Sequence, residues 1–255
     1  MKALITGGSS GIGRDMALYL SEKGIDLIIV GRNIDALNSV KEKCKTNVKV
    51  INLDLSVREN VYKLYEETKE ENIDILINNA GFGLFGNFYE TDLDREINMI
   101  NLNIIAVHIL TKLFLKDFIK KDKGYILNVA SSAGFMAGPK LSTYYSTKNY
   151  VLRQSLAIYE ELRHMKSNVK ISVLCPGPVE TNFNNVAGGS FNTKSASSEY
   201  VAKLAIDKMF KNKLIIVPTI KIKLAIFLTR LVPTKLLLKI NYHIQNTKIK
   251  KYNEK

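Results

Sequence analysis

Among the residues able to do acid–base chemistry in this 255-residue chain, a tyrosine followed four positions later by a lysine has the most specific use. On a helix the two side chains share a face one turn apart. A nearby ammonium favours the ionised phenol, drawing a group of pKa about 10 toward the range where it can trade a proton near neutrality. Three such pairs occur: Tyr19/Lys23, Tyr65/Lys69 and Tyr144/Lys148. With 12 tyrosines in a lysine-rich chain, chance alone supplies between one and two, so the spacing by itself decides nothing. Context does. The first two pairs fall late in segments that read as covering helices, where they are surface pairs. The third opens a long helical stretch, Thr143-Tyr144-Tyr145-Ser146-Thr147-Lys148, and 13 residues upstream Ser131 stands at the end of an apolar run.

The elements that must hold these residues alternate between short aliphatic runs and longer amphipathic stretches. Residues 2–6, 26–30, 48–53, 74–78, 124–130 and 169–175 read as strands, and 11–23, 58–69, 94–121 and 144–165 as helices. That order implies right-handed βαβ crossovers and a doubly wound parallel α/β sheet of about seven strands with helices on both faces. One domain is expected over 1–217, ending in a helix near 198–211 and a strand at 214–217, with a basic C-terminal extension at 218–255. The catalytic candidates then lie at strand ends along the carboxyl edge, where open sheets of this kind bind ligands.

Between the first strand and the first helix runs Thr6-Gly7-Gly8-Ser9-Ser10-Gly11-Ile12-Gly13. Glycines there permit a tight turn and close backbone approach, and the helix N-terminus offers free N–H groups to a pyrophosphate. The spacing G-x-x-x-G-x-G departs from the commoner G-x-G-x-x-G. It resembles the T-G-x-x-x-G-x-G that opens short-chain dehydrogenases/reductases, a family of Rossmann-type fold. Asn78-Asn79-Ala80-Gly81, Asn101-Leu102, Asn128-Val129-Ala130-Ser131, Tyr144-x-x-x-Lys148 and Pro176-Gly177-Pro178-Val179-Glu180-Thr181 follow in that family's order. Together they cover residues 1 to about 185.

The resemblance implies a nicotinamide-dependent oxidoreductase acting on a ketone or secondary alcohol. Tyr144 would be its acid/base, Lys148 would lower the phenol pKa and hold the ribose hydroxyls, Ser131 would hold the substrate oxygen, and Asn101 would order a proton-carrying water. Ser131 is favoured over Ser132 by its spacing to Tyr144 and Gly134, and Asn101 over Asn103 because Leu102 follows it. Thr6, Gly7, Ser9, Ser10, Gly11, Ile12 and Gly13 would cradle the pyrophosphate. Asp54 and Leu55 would meet the adenine, Asn79, Ala80 and Gly81 would close the cleft, and Pro176, Gly177, Val179 and Thr181 would meet the nicotinamide. Gly31 stands where an NAD enzyme keeps an acid, and Arg32 follows it, so NADP(H) is expected, with NAD(H) as the alternative. Against the pattern, Ser10 stands where many NADP-binding relatives are basic. The substrate is expected to be an apolar small molecule, with its specificity set around 179–197 and Phe135, Met136 and Phe183 as pocket candidates. Helices 94–121 and 144–165 would form a homodimer or homotetramer. The rival reading is a non-catalytic NADP-binding regulatory or membrane-surface scaffold protein, against which the complete Ser–Tyr–Lys–Asn set counts.

The formal net charge is +13, of which residues 201–255 carry +11 through 12 Lys, one Arg and two acids. This basic segment is rich in Leu, Ile and Phe and carries no zinc-finger, RNA-recognition or helix-turn-helix signature. It therefore points away from nucleic acid and toward peripheral contact with an anionic membrane or closure of the cleft. Its longest uncharged stretch is too short to span a bilayer. Cys44 and Cys175 lack metal or redox spacing, and His108, His164 and His243 share no ligand pattern, so no metal is expected. No secretory leader is read at the N-terminus, and a cytoplasmic, or membrane-peripheral, protein is expected.

Overall fold

Aliphatic residues on both faces of a strand force helices onto both sides of the sheet, and that demand organises the chain. The computed structural model describes residues 1–188 and 195–253, without the side chains of 184, 185 and 247–253. Residues 189–194 of the expected specificity segment, and the last two of the tail, lie outside the described residues. Strands β1 (Lys2–Thr6), β2 (Asp26–Gly31), β3 (Val48–Asn52), β4 (Ile75–Asn78), β5 (Tyr125–Val129) and β6 (Lys170–Leu174) are all parallel to their neighbours. A small separate pair, β7 (Val179–Glu180) beside β8 (Ala196–Ser197), precedes β9 (Ile215–Ile216), which completes the main sheet. The order is β3-β2-β1-β4-β5-β6-β9. The chain winds outward from β1 in one direction and then from β4 in the other, which opens a crevice above the β1/β4 pair.

Helices α1 (Gly11–Glu22), α2 (Ile34–Lys43) and later α8 (Ser198–Phe210) share one face of the sheet. There Met16, Leu20, Leu37 and Met209 are buried against Ile5, Ile29 and Ile77. On the other face α3 (Arg58–Thr68) and the long helix Leu93–Lys121 bury Leu64, Phe114 and Phe118 against Leu4, Ile28, Leu76 and Ile126. Side chains of this size contribute about 1.5–3 kcal/mol each when fully buried. The helix α2 is absent from the sequence reading, although Asn33 caps it by accepting from the Ala36 N–H at 2.9 Å, with Asp35 in its first turn. The helix expected at 94–121 is also not uniform. It runs as α4 (Leu93–Ile100), a π-turn (Asn101–Ala106) and α5 (Val107–Lys121).

Side-chain ties fix the strand ends where the site forms. The Asn79 and Ala80 N–H groups donate to Thr6 Oγ1 at 3.0 and 3.1 Å, and Asn79 Nδ2 donates to the Thr6 and Gly7 carbonyls at 3.0 and 3.1 Å. These bonds lock β1 to β4 at the crevice. One strand over, Asn78 Nδ2 donates to Asn128 Oδ1 at 2.9 Å, and Asn128 Nδ2 donates to Ser155 Oγ at 3.0 Å. That fully buried chain joins β4 and β5 to α6 (Ser142–His164). A lost partner in it would leave a buried polar group costing about 1–3 kcal/mol.

The C-terminal segment forms α7 (Phe183–Ala187) before β8, and α9 (Ile220–Thr229) and α10 (Thr234–Asn253) after β9. Ile226 and Ile222 of α9 pack with Phe135, Val151 and Val217. The α9 helix also lies over the Pro176-Gly177 turn, where a Cβ on Gly177 would meet Ile222 Cγ1 at 2.8 Å.

Candidate active site

Past the end of β5 the chain is extended at Ser131 (φ −171°) and then winds into a single 3-10 turn, Ser132–Phe135. Ser131 Oγ accepts from the Ala133 N–H at 3.1 Å and donates to the Pro176 carbonyl at 3.4 Å. The same hydroxyl is the group near the Tyr144 phenol that favours its ionised form. Ser132 spends its N–H on the Pro176 carbonyl at 2.8 Å, so Ser131 is the serine that reaches the tyrosine. Tyr144 lies in the first turn of α6 and Lys148 one turn later. Lys148 is only 5% exposed, its Nζ donates to the Val129 carbonyl at 3.0 Å, and it stands 5.9 Å from the centre of the Tyr144 ring. Asn149, which the sequence reading passed over, clamps this arrangement. Its Nδ2 donates to the Ala133, Met136 and Tyr145 carbonyls at 3.1, 3.0 and 2.9 Å, pinning the 3-10 turn to the helix.

Burial sets the electrostatics. It pulls the Lys148 ammonium down to about 8, with Cys175 opposing weakly. It pushes the Cys175 thiol up to about 12. It also pushes the Tyr144 phenol above its ordinary value, and the neighbouring Ser131 hydroxyl only partly offsets this. The depression of Tyr144 expected from Lys148 is therefore not present between these protein groups: burial raises the phenol, and Lys148 does not lower it. The linkage sign for Lys148 follows. Between about pH 8 and the ordinary lysine value of about 10.4 the folded protein binds fewer protons than the unfolded chain. A destabilising contribution is thus complete below about pH 8 and fades as pH rises toward the ordinary value.

The asparagine near this lysine is Asn103, and Asn101 is corrected accordingly. Asn103 is fully buried in the π-turn. Its Oδ1 accepts from the Phe82 N–H at 3.1 Å, and its Nδ2 donates to the Phe82 carbonyl at 2.9 Å and Thr147 Oγ1 at 3.1 Å. A Cβ on Gly81 would lie 2.8 Å from Asn103 Oδ1 and 3.3 Å from Lys148 Nζ, so both side chains crowd onto the Asn-Asn-Ala-Gly turn and a larger residue there would displace them. Asn101, two residues earlier, is half-buried on another side of the turn. The wider i→i+5 winding of a π-turn re-aims side chains, which a sequence read at regular helical period does not reveal.

The family model described as short chain dehydrogenase matches residues 1–189. This chain is a member of the short-chain dehydrogenase family. It is 30% identical over 181 residues to an uncharacterised oxidoreductase of Staphylococcus epidermidis, covering 70% of this chain and 78% of that one. It is 34% identical over 169 residues to a very-long-chain 3-oxoacyl-CoA reductase of Macaca fascicularis, covering 63% of this chain and 54% of the relative, about half its length. A solved short-chain dehydrogenase from Sphingobium yanoikuyae in complex with NADPH superposes with a TM-score of 0.81 at 26% identity, covering 86% of this chain and 88% of that one.

In this short-chain dehydrogenase the glycine-rich turn is shaped to admit a dinucleotide. Gly7 adopts φ +67°, and a Cβ on Gly13 would collide with the Gly7 carbonyl and Asn79 Nδ2, so α1 starts hard against the end of β1 with Ser9, Ser10, Gly11 and Ile12 above it. The side chain of the N-cap Ser10 makes no capping bond, which leaves the first-turn N–H groups of α1 for a ligand anion. Thr181 stands across the crevice, its Cγ2 3.0 Å from where a Gly11 Cβ would be. At the far end Asp54 accepts from the Ser56 N–H at 2.9 Å and Ser56 Oγ at 2.7 Å, and Arg32, 66% exposed, pairs with it at 3.7 Å. The Leu55 side chain is buried in the core, so only its backbone is offered to the crevice. Asn79 spends its amide on bracing β1, and Val179 packs against the core from β7.

Above Tyr144 the lining is apolar. Phe85, Leu141 and Ala187 are buried with Tyr144, Tyr145 and Phe183, and the Phe183 ring lies 5.3 Å from that of Tyr144. Of the expected pocket residues only Phe183 is here. Phe135 packs into the cluster under α9, and Met136 lines a surface groove with Pro139 and Leu238. Among the described residues no group of His, Cys, Asp and Glu side chains assembles that could hold a metal ion. The geometry makes a direct contrast testable. Asn103→Ala should lower steady-state reductase turnover about 10²-fold through loss of positioning. Asn101→Ala, at a half-buried site, should change it by no more than about 0.5 kcal/mol in the barrier.

Proposed function

We propose that this chain catalyses hydride transfer between NADP(H) and a ketone or secondary alcohol on an apolar skeleton. The observation that carries the reading is the convergence of Ser131, Tyr144, Lys148 and Asn103 at one end of the crevice. When bound, the dinucleotide donates or accepts the hydride, and its oxidised ring adds positive charge beside the phenol. Thr6, Gly7, Ser9, Ser10, Gly11, Ile12 and Gly13 would hold the pyrophosphate, with Asp54 and the Leu55 backbone at the adenine. Arg32 would hold the 2′-phosphate, for which its exposure and loose pairing with Asp54 leave it available. Ala80 and Gly81 would border the cofactor, Tyr144 and Lys148 would hold ribose hydroxyls, and Pro176, Gly177, Val179 and Thr181 would hold the nicotinamide end. NAD(H) is the alternative occupant.

Tyr144 holds the proton that passes to or from the substrate oxygen, and Ser131 would turn its one O–H from the Pro176 carbonyl to fix that oxygen. Lys148 supplies the neighbouring charge, and the proton it holds loosely is drawn from the buried pocket that Asn103 shapes. The apolar wall of Phe85, Leu141, Phe183 and Ala187 supports a hydrophobic substrate, as does the 34% identity to a very-long-chain 3-oxoacyl-CoA reductase. A homo-oligomer packed through α4–α5 and α6 is supported by exposed Leu93, Ile97 and Tyr150 on those helices. Free Cys44 and Cys175 suit a reducing, cytoplasmic setting.

With NADPH and a panel of apolar ketones, Tyr144→Phe should lower turnover by about 10²–10⁴-fold while NADPH still binds; retention of more than a few per cent of the wild-type rate would remove Tyr144 from the acid/base role. Arg32→Ala should weaken NADPH binding by about 1.5–3 kcal/mol and leave NADH binding unchanged, as read by fluorescence titration. Equal affinities of the wild type for the two cofactors would reverse the assignment.

A further inference from the structure

The tail presents a surface that the reaction does not use. On α9 the large apolar residues fall into two opposite stripes. Ile222 and Ile226 face the protein. Ile220, Leu224, Phe227 and Leu228, continued by Leu231, recur at helical spacing on the outer face, and they are 82%, 58%, 57%, 48% and 67% exposed. On α10 Leu236 and Ile240, one turn apart, are also exposed. Single exposed apolar residues are ordinary, but five large ones on one face of a single helix and the turn after it mark an interaction site.

Charge selects the occupant. Lys221, Lys223 and Arg230 flank the α9 stripe, and Lys235 and Lys239 lie beside Leu236 and Ile240, all of them exposed. No Asp or Glu occurs between Asp207 and Glu254. Two copies of this face docked on each other would bring ten cations together without a counter-charge, which opposes self-association. A polyanion such as nucleic acid would answer the lysines but leave the apolar stripe in water. An anionic lipid bilayer answers both: the stripe enters the acyl boundary while the flanking side chains reach lipid phosphates. Neither helix carries a long enough uncharged run to cross, so both lie in the plane of the interface.

We infer that α9 and α10 form a peripheral docking surface for an anionic membrane. The surface is fastened to the catalytic helix. Gln245 Nε2 donates to Tyr145 Oη at 2.6 Å, and Asn241 Nδ2 donates to the Ala137 carbonyl at 3.0 Å. The residue next to Tyr144 is thus held by the helix that meets the lipid.

The test is flotation of the full-length protein with phosphatidylcholine vesicles, with and without phosphatidylglycerol, which reads binding independently of turnover. The expected result is at least about tenfold more protein on the anionic vesicles at low salt, released by high salt. Leu224→Glu/Phe227→Glu should abolish binding while keeping reductase activity and molecular mass. Lys235→Glu/Lys239→Glu, on the other helix, gives an independent reading and should weaken binding by about tenfold or more. Absence of wild-type binding to anionic vesicles would overturn the inference. So would undiminished binding by both variants, wild-type binding to duplex DNA in preference to anionic vesicles, or a fall in mass in Leu224→Glu/Phe227→Glu, which would make the face a contact between copies.

Discussion

A lysine ammonium held almost out of water is the constraint around which the site is built. Lys148 keeps a hydrogen bond to the Val129 carbonyl and sits where desolvation draws its proton affinity down to about 8. A buried cation is costly unless other groups are arranged around it. Here the arrangement comes from three directions: β5 presents the carbonyl, the π-turn brings Asn103, and the turn after β4 comes close enough at Gly81 to touch both. Each of those approaches would be wasteful in a protein that needed only a core. Together they keep a loosely held proton one helical turn from a phenol.

The sheet order explains why these parts can meet. Because β1 and β4 are adjacent although far apart in sequence, their loops leave in opposite directions and leave a crevice. The Thr6–Asn79 ties hold that crevice at a fixed width. The Asn78–Asn128–Ser155 chain then transmits the position of β4 through β5 to the helix that carries Tyr144 and Lys148. The cofactor end and the chemical end of the site are in this way registered through buried hydrogen bonds, which are directional, on top of apolar packing, which is not.

Much of this was legible in the sequence, for identifiable reasons. Strands buried on both faces appear as aliphatic runs, and the glycine, Asn-Asn-Ala-Gly and Pro-Gly motifs mark places where backbone must turn or approach closely. The structure brings Tyr144, Lys148 and Ser131 together where the family's motif order put them, at a strand end feeding a helix. Asn103 was missed in favour of Asn101 because the aim of a side chain from a π-turn depends on one extra residue of winding, which no local pattern announces. Asn149 was missed for a different reason. Its three acceptors lie at 133, 136 and 145, and two of those belong to a turn whose path exists only after folding. The α2 helix was overlooked because its ten residues carry only two buried positions, Leu37 and Val40, too few to show a period. The sign of the electrostatics was also out of reach: sequence places a cation beside a phenol, whereas depth of burial decides whether charge or desolvation dominates.

The central claim, that Lys148 holds its proton weakly because the fold desolvates it, can be measured directly. Protein labelled with ¹³C at lysine Cε would be titrated by NMR, with Lys148→Arg identifying the resonance by its disappearance. The structure predicts that the Lys148 resonance titrates near pH 8 and is missing from the variant. Titration of that resonance near the ordinary value of about 10.4 would contradict it.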